Sequence, residues 1–267
     1  MSSSRPSGVH GGIEAGKGGD LDVLGWRLKL GVIVPATNTI VEPEFHAMAV
    51  PGVTTHTGRF PLQNVSISSD ADFARMVEVI HTNLDVAIDG LVPCAPDHII
   101  VGVSAETFWD GTDGAATIRS RLSQTSGVSV SLGSDAARVA LETVGARQIG
   151  VLTPYWPVAD ERVRRYFSEC GFTVQRVTGL KATSPVNIAE QSIETMTRAV
   201  YEMDGDDIDT IIQVGTNLAM ARLAGELEQA LGKPVIAINT ALYWHALRQN
   251  GITDSIAGFG RLLKEDR

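Results

Sequence analysis

Little in this sequence places it at first reading. Among 267 residues there are only two cysteines, Cys94 and Cys170. Two thiols close at most one bridge, which excludes a disulfide scaffold. No apolar run reaches the roughly 18 residues that a membrane-spanning helix needs. Lys and Arg number 22 against 31 Asp and Glu, a net charge of −9, and the basic residues form no cluster. Such a chain is a poor partner for nucleic acid or an anionic membrane surface. The phosphate-binding signatures are missing too: nothing reads GxxxxGK followed by Ser or Thr, and no GxGxxG follows a strand-like run. Gly102-Val103-Ser104-Ala105 lacks the last glycine of a serine-hydrolase elbow. The six histidines show neither HExxH nor Cys–His spacing, so no metal site and no cofactor are expected.

What is present is an ordinary globular composition, 43% apolar and 20% charged. The first 25 residues stand apart, with seven Gly and four Ser. They carry too little apolar surface to offset the entropy of ordering, so residues 1–25 are expected to form a disordered leader. They contain no apolar stretch of the secretory kind. Both cysteines are therefore expected as reduced thiols in the cytoplasm.

From Trp26 onward short apolar runs alternate with amphipathic stretches. Strands are expected at 28–34, 53–60, 87–92, 128–132, 148–152, 172–178, 210–214 and 234–238. Helices are expected at 39–48, from Asp70 or Asp72 to about Asp85, and at 113–123, 135–144, 158–170, 188–203, 218–231 and 242–250. Strand–helix alternation of this kind predicts an α/β fold, parallel sheets covered by helices on both faces. There is also an internal echo. Lys29-Leu30-Gly31-Val32-Ile33-Val34-Pro35 resembles Gln148-Ile149-Gly150-Val151-Leu152-Thr153-Pro154. Asp89-Gly90-Leu91-Val92-Pro93-Cys94 is paired with Asp209-Thr210-Ile211-Ile212-Gln213-Val214. The pattern predicts two similar α/β halves, 26–145 together with 235–267, and 146–234.

Ligands of open α/β sheets sit beyond the carboxyl ends of the strands. That directs attention to residues 35–39, 94–98, 153–155 and 215–217, rich in small hydroxyls and amides. Cys94 is the sharpest candidate. A thiolate is the strongest side-chain nucleophile near neutral pH, and a helix start after a strand would favour it. The alternative is a buried, inert cysteine. His98 lies four residues on. On a helix it would share a face with Cys94 and could shuttle a proton, and otherwise it packs or caps. Cys170, late in an amphipathic helix, reads as packing.

These loops, with Gly31-Val32-Ile33-Val34-Pro35-Ala36-Thr37-Asn38-Thr39, Leu152-Thr153-Pro154-Tyr155, Asn187-Ile188 and Thr216-Asn217-Leu218, occur in an order that resembles a known group. It is the Asp/Glu racemase superfamily, in its maleate cis-trans isomerase and arylmalonate decarboxylase branch. The resemblance spans about Leu28 to Ile252. It implies two pseudo-symmetric flavodoxin-like halves with the active site between them, and chemistry beside a carboxylate without a cofactor. It implies one or two cysteines, one per half, acting at the substrate carbon, the first matched by Cys94. Asn38 and Tyr155 match carboxylate-holding positions, and Asn187 a further binding position.

Two departures accompany the resemblance. The second-half cysteine position reads Gly215, and Ala95-Pro96 stands where Thr-Ser is common. The expected catalytic set is then Cys94, His98 and Tyr155. Thr37, Asn38, Ala95, Asn187, Gly215, Thr216 and Asn217 are expected around a small carboxylate. Three functions follow from this set: an isomerase working through the Cys94 thiolate, a decarboxylase of a malonate-type acid, or a carboxylate-binding protein without turnover. Apolar helix faces in such proteins commonly pair, so a homo-oligomer is expected.

Overall fold

The computed structural model describes residues 22–264. The expected leader therefore lies outside the described residues apart from its last four positions. Among the described residues no helix is long and apolar enough to cross a membrane.

The first half opens with β1 (Leu28–Pro35), whose side chains are all buried except half-buried Lys29. A strand covered on both faces reads as a nearly continuous apolar run. Helix α1 (Val41–Ala47) leads to β2 (Val53–Phe60), which pairs in parallel with β1 from Leu28↔Val53 to Pro35↔Phe60. Helix α2 (Asp70–Leu91) follows. Its cap is Ser69, one residue before the expected Asp70: the Ser69 hydroxyl accepts from the Asp72 N–H and donates to the Asp72 carboxylate. Next come β3 (His98–Val101), α3 (Ala105–Trp109), α4 (Gly111–Ser126), β4 (Ser129–Ser131) and α5 (Gly133–Thr143). The second half runs β5 (Gln148–Thr153), α6 (Pro157–Glu169), β6 (Thr173–Gly179), α7 (Ile193–Met203), β7 (Thr210–Gln213), α8 (Ala221–Leu231) and β8 (Val235–Ala237). Helices α9 (Ile238–Gln249) and α10 (Arg261–Lys264) close the chain.

The sheets have matching orders, β2-β1-β3-β4 and β6-β5-β7-β8, and every pairing is parallel. This is the expected α/β architecture of two pseudo-symmetric, flavodoxin-like halves. β8 belongs to the second sheet, so that half reaches past the boundary expected at residue 234. Helix α9 then crosses back to pack on α5 of the first half. The halves also meet through α3 and α6, where Phe108 lies 5.0 Å edge-on from Tyr166 and 5.5 Å from Phe167.

One expected strand is a helix. Residues 87–91 continue α2, because Ile80, Leu84, Ala87, Ile88 and Leu91 keep one buried face to its end. A 3-10 turn, Val92–Cys94, ends the run, with Pro93 inside it and Ala95 in the left-handed region at φ 49°. The strand that replaces it is β3. Strand register then fixes the symmetry: Gly31 pairs with Ile99 as Gly150 pairs with Ile211. Asp97 is thus the counterpart of Asp209, and the two do the same work. The Asp97 carboxylate accepts the Lys29 N–H at 2.8 Å, and the Asp209 carboxylate accepts the Gln148 N–H at 2.8 Å. The echo assigned to Asp89 belongs eight residues later.

Candidate functional site

The carboxyl ends of β1, β3, β5 and β7 converge on one narrow pocket of about 50 Å³, lined by residues of both halves. Its polar floor is Thr37, Asn38, Tyr155, Gly215, Thr216 and Asn217. Its walls are apolar: Leu62, Met76, Ile80, Val103, Ala105 and Ile188, with Pro35 and Pro185. Among the described residues no Asp, Glu, Lys, Arg, His or Cys side chain lines it.

Six of the residues expected from the sequence meet here; Cys94, Ala95, His98 and Asn187 do not line it. Cys94 and Ala95 precede β3, at the amino end of the sheet. The Lys29 ammonium donates to the Cys94 carbonyl at 3.1 Å, and Lys29 lies six residues before Pro35 in β1. Six strand residues span about 20 Å. The Cys94 thiol donates to the Leu91 carbonyl at 3.0 Å, closing the 3-10 turn. The reason is the extended α2: the proline-flanked turn delivers Cys94 before the strand, whereas a ligand-facing residue must follow it. Cys170 caps α6, and burial pushes its thiol pKa up. Both thiols of the sequence are therefore away from the pocket.

His98 begins β3 and is fully buried. Its Nε2 lies 2.7 Å from the Ser131 hydroxyl, which lies 2.7 Å from His245 Nδ1. Burial first, then the neighbouring His245, pushes its pKa down to about 4. It is a neutral core histidine, and no proton path from it to the pocket is evident. Asn187 sits beside the lining residue Ile188 and is spent locally, accepting the Thr183 N–H at 3.1 Å and donating to Glu190 at 3.0 Å.

The floor is tied across the halves by one side chain that sequence reasoning passed over. The Ser104 hydroxyl accepts the N–H groups of Gly215 and Thr216, both at 3.1 Å, and lies 3.1 Å from the Tyr155 hydroxyl. A serine oxygen has two lone pairs and one proton. Both lone pairs are taken, so Ser104 donates its proton to Tyr155. The Tyr155 proton is then free to donate into the pocket. Burial raises the pKa of this phenol well above its usual range, so it stays protonated at neutral pH. The clasp is reciprocated when the Thr216 hydroxyl donates to the Gly102 carbonyl at 2.9 Å.

The two asparagines are largely scaffold. Asn38 Oδ1 accepts the Ile40 and Val41 N–H groups at 3.0 Å, holding the start of α1. Asn217 Oδ1 accepts the Thr39 N–H at 2.9 Å, and its amide donates to the Pro185 carbonyl at 3.0 Å. Behind them Glu44 accepts from the Asn239 amide at 2.7 Å and from the Ala221 N–H at 2.8 Å. Asn239 in turn donates to the Thr216 carbonyl at 2.9 Å. Sequence reasoning missed Glu44 and Asn239 as well. A glutamate on a short helix carries no signal that it reaches across to a loop nearly 180 residues away.

The arylmalonate decarboxylase family model matches residues 30–263. The chain belongs to that family. A maleate isomerase from Nocardia farcinica is 23% identical over 248 residues, covering 89% of this chain and 96% of the relative. The arylmalonate decarboxylase of Bordetella bronchiseptica is 26% identical over 165 residues, covering 60% of this chain and 68% of the relative. Among solved structures, a cysteine-to-serine mutant of the N. farcinica maleate cis-trans isomerase superimposes with a TM-score of 0.81 at 21% identity, covering 90% of this chain and 99% of that one. That structure holds a covalently bound succinylcysteine intermediate. An arylmalonate decarboxylase structure matches with a TM-score of 0.70 at 20% identity, covering 88% and 98%. The family's named members are thus enzymes of small carboxylic acids, isomerases on one side and decarboxylases on the other.

Proposed function

We propose that this chain is a carbon–carbon lyase that decarboxylates a small malonate-type acid without a thiol step. One observation carries the reading: the pocket between the halves has neutral hydrogen-bond donors on its floor, aliphatic walls and no thiol. Isomerisation by thiolate addition needs a nucleophile at the double bond, and this pocket offers none. Decarboxylation needs none. One carboxylate is retained on the floor, where the Tyr155 hydroxyl and the Thr37 hydroxyl donate to it. The other faces the aliphatic wall, an environment that disfavours its charge. The carbon–carbon bond breaks, its electron pair moves into the retained carboxylate to give an enediolate, and CO2 leaves. The Tyr155 hydrogen bond strengthens as that negative charge develops. Water returns a proton to carbon.

A second reading, binding without turnover, is favoured by the absence from the pocket wall of a group titrating near neutral pH. One experiment separates them. The protein is incubated with phenylmalonate and, separately, with maleate, while CO2 release and the appearance of fumarate are followed. Release of CO2 that falls at least about 100-fold in Tyr155→Phe supports the lyase. Saturable phenylmalonate binding in calorimetry with no CO2 leaves the binding protein. Fumarate formed from maleate overturns both.

A further inference from the structure

A second concavity lies apart from the pocket between the halves. It is a groove of about 640 Å³ between α4, the edge strand β4, α5 and α9, and it shares no lining residue with the first pocket. Its chemistry is the reverse of the first pocket's. It carries two guanidinium groups, Arg119 on α4 and Arg138 on α5, and one carboxylate, Asp135. Each guanidinium is fastened through a single nitrogen. Arg119 Nη1 donates to Asp135, and Arg138 Nη1 donates to the two Glu142 oxygens at 2.7 and 2.9 Å. A guanidinium has five N–H groups. The other nitrogens of both arginines make no bond among the described residues.

The floor of the groove adds a third donor, and its direction follows from a buried histidine. The groove residue His245 is 7% exposed, and the Ser131 hydroxyl lies between its Nδ1 and the Nε2 of His98. Burial pushes both imidazole pKa values down, so both rings are neutral and each carries one proton. His98 Nδ1 is buried without a partner among the described residues. A proton on it would be an orphaned buried donor, rarer and worse than a bare lone pair. The His98 proton is therefore on Nε2 and goes to Ser131. Ser131 gives its own to His245 Nδ1, which leaves the His245 proton on Nε2. That atom lies 3.2 Å from the side-chain nitrogen of Gln249, another groove residue. Two donors side by side suit one acceptor. In the free protein the Gln249 amide can turn its oxygen to the imidazole; an anion accepts from both.

We propose that this groove is a second ligand site, which takes the phosphate monoester of a small polar alcohol. The phosphoryl oxygens accept from Arg119, Arg138 and the His245 Nε2–H. Donors on three different helices suit a group with three outward oxygens better than a planar carboxylate with two, and arginine forks match phosphate geometry. The charges that act on His245 are Arg119, Arg138 and Asp135, two positive against one negative. The groove is larger than a bare ion needs, and the Ser120 and Ser129 hydroxyls line the remainder. The site does not depend on the function proposed above.

The test is a titration of the full chain, 15N-labelled on histidine and read by NMR at the His245 Nε2–H, whose signal is assigned by its loss in His245→Phe. Glycerol 3-phosphate moves it saturably and binds at least about three-fold more tightly than inorganic phosphate, the worth of one added neutral hydrogen bond. Arg119→Gln and Arg138→Gln each weaken binding at least about ten-fold, the worth of a charge-assisted bond. Arg119 also holds Asp135, so a further variant separates binding from folding. Ser129 is exposed and makes no side-chain bond among the described residues. Ser129→Asp unfolds in urea as the native chain does, and its negative charge abolishes binding. Tyr155→Phe, altered in the other pocket, titrates as native. No saturation by about 10 mM ester, the same response to sodium chloride at matched ionic strength, or undiminished binding in Ser129→Asp overturns the proposal. Loss of the response in Tyr155→Phe overturns it too, by placing the ester in the other pocket. Malonate or inorganic phosphate bound as tightly as the ester overturns the assignment of the ligand class.

Discussion

Val103 and Gly215 are the same residue of two related halves. Each is second after the strand that follows its half's second crossover, β3 ending at Val101 and β7 at Gln213, and both line the pocket. If a thiol belongs at the Gly215 position of one half, its symmetric place in the other is Val103, and Cys94 is neither. The two positions differ in what they can accept. Val103 sits on ordinary backbone, whereas Gly215 has φ 104° and an added Cβ would meet the Pro154 ring.

Val103→Cys should therefore fold, at a cost of about 1 kcal/mol for the smaller side chain, and place an alkylatable thiol in the pocket. Iodoacetamide labelling followed by peptide mass spectrometry should find it, and phenylmalonate should slow it. Gly215→Cys should cost more than about 2 kcal/mol in urea unfolding, since it combines strained backbone with a steric clash. Equal stability of the two variants would show that the Gly215 loop is not built for glycine.

Cys94→Ser and Cys170→Ser should each leave phenylmalonate turnover or binding within about two-fold of native. The Cys94 thiol serves only the 3-10 turn, and a hydroxyl can make the same bond to Leu91. A loss of orders of magnitude in Cys94→Ser would mean that the chain brings the amino end of β3 to the ligand.

Ser104→Ala should be worse than Tyr155→Phe for stability, and comparable to it for ligand affinity. The alanine leaves the Gly215 and Thr216 N–H groups buried without an acceptor, a cost of about 1–3 kcal/mol. The phenylalanine removes one neutral hydrogen bond, about 1 kcal/mol. Chemical denaturation gives the first ordering and calorimetry with phenylmalonate the second. The reverse stability order would mean that the Ser104 proton, rather than its lone pairs, holds the loop.

Much of this was legible before any coordinates. The strands β1, β2, β5 and β6 were readable because each is a long β-branched run closed by Pro or Gly. The loops after β1, β5 and β7 could then be assigned, and with them Thr37, Asn38, Tyr155, Thr216 and Asn217. The departure that matters most for the site is at one place. β3 has four residues, and the apolar run before it, Ala87 to Val92, has the length and ending of a strand. Only the 3.6-residue rhythm carried on from Phe73 marks it as helix. That slip moved Cys94 from the wrong end of a strand to its business end. It also hid Ser104, which follows the strand that was overlooked. Glu44 and Asn239 act through tertiary contact alone, and no local pattern announces them.

A buried base and a buried acid oppose each other in the pH dependence of stability. His98 titrates at about 4 in the fold against an ordinary 6.5. Its folded value is depressed, so the unfolded chain takes up the proton first. Stability is lost as pH falls from about 6.5 to 4, by on the order of 3 kcal/mol at most. Asp160 is the opposite case, raised from 3.8 to about 6. Its ionised form costs stability above pH 6, and that cost disappears as pH falls toward 3.8, again by up to about 3 kcal/mol. The two nearly offset in the native chain. Asp160→Asn should raise the urea midpoint at pH 7.5 and make it fall more steeply between pH 6.5 and 4.5. A variant less stable than native at pH 7.5 would mean that the carboxylate contributes more through Thr153 and Lys181 than its burial costs.

The clasp between the halves also breaks their symmetry. Two units of the same strand order meet at a pocket to which equivalent loops contribute. An exact two-fold axis would make every contact there come in identical pairs, and this chain departs from that. Ser104 and Thr216 hold equivalent places, yet one now receives two backbone N–H groups and the other gives its proton to a carbonyl. The pocket is thereby asymmetric, and can tell one end of a small molecule from the other.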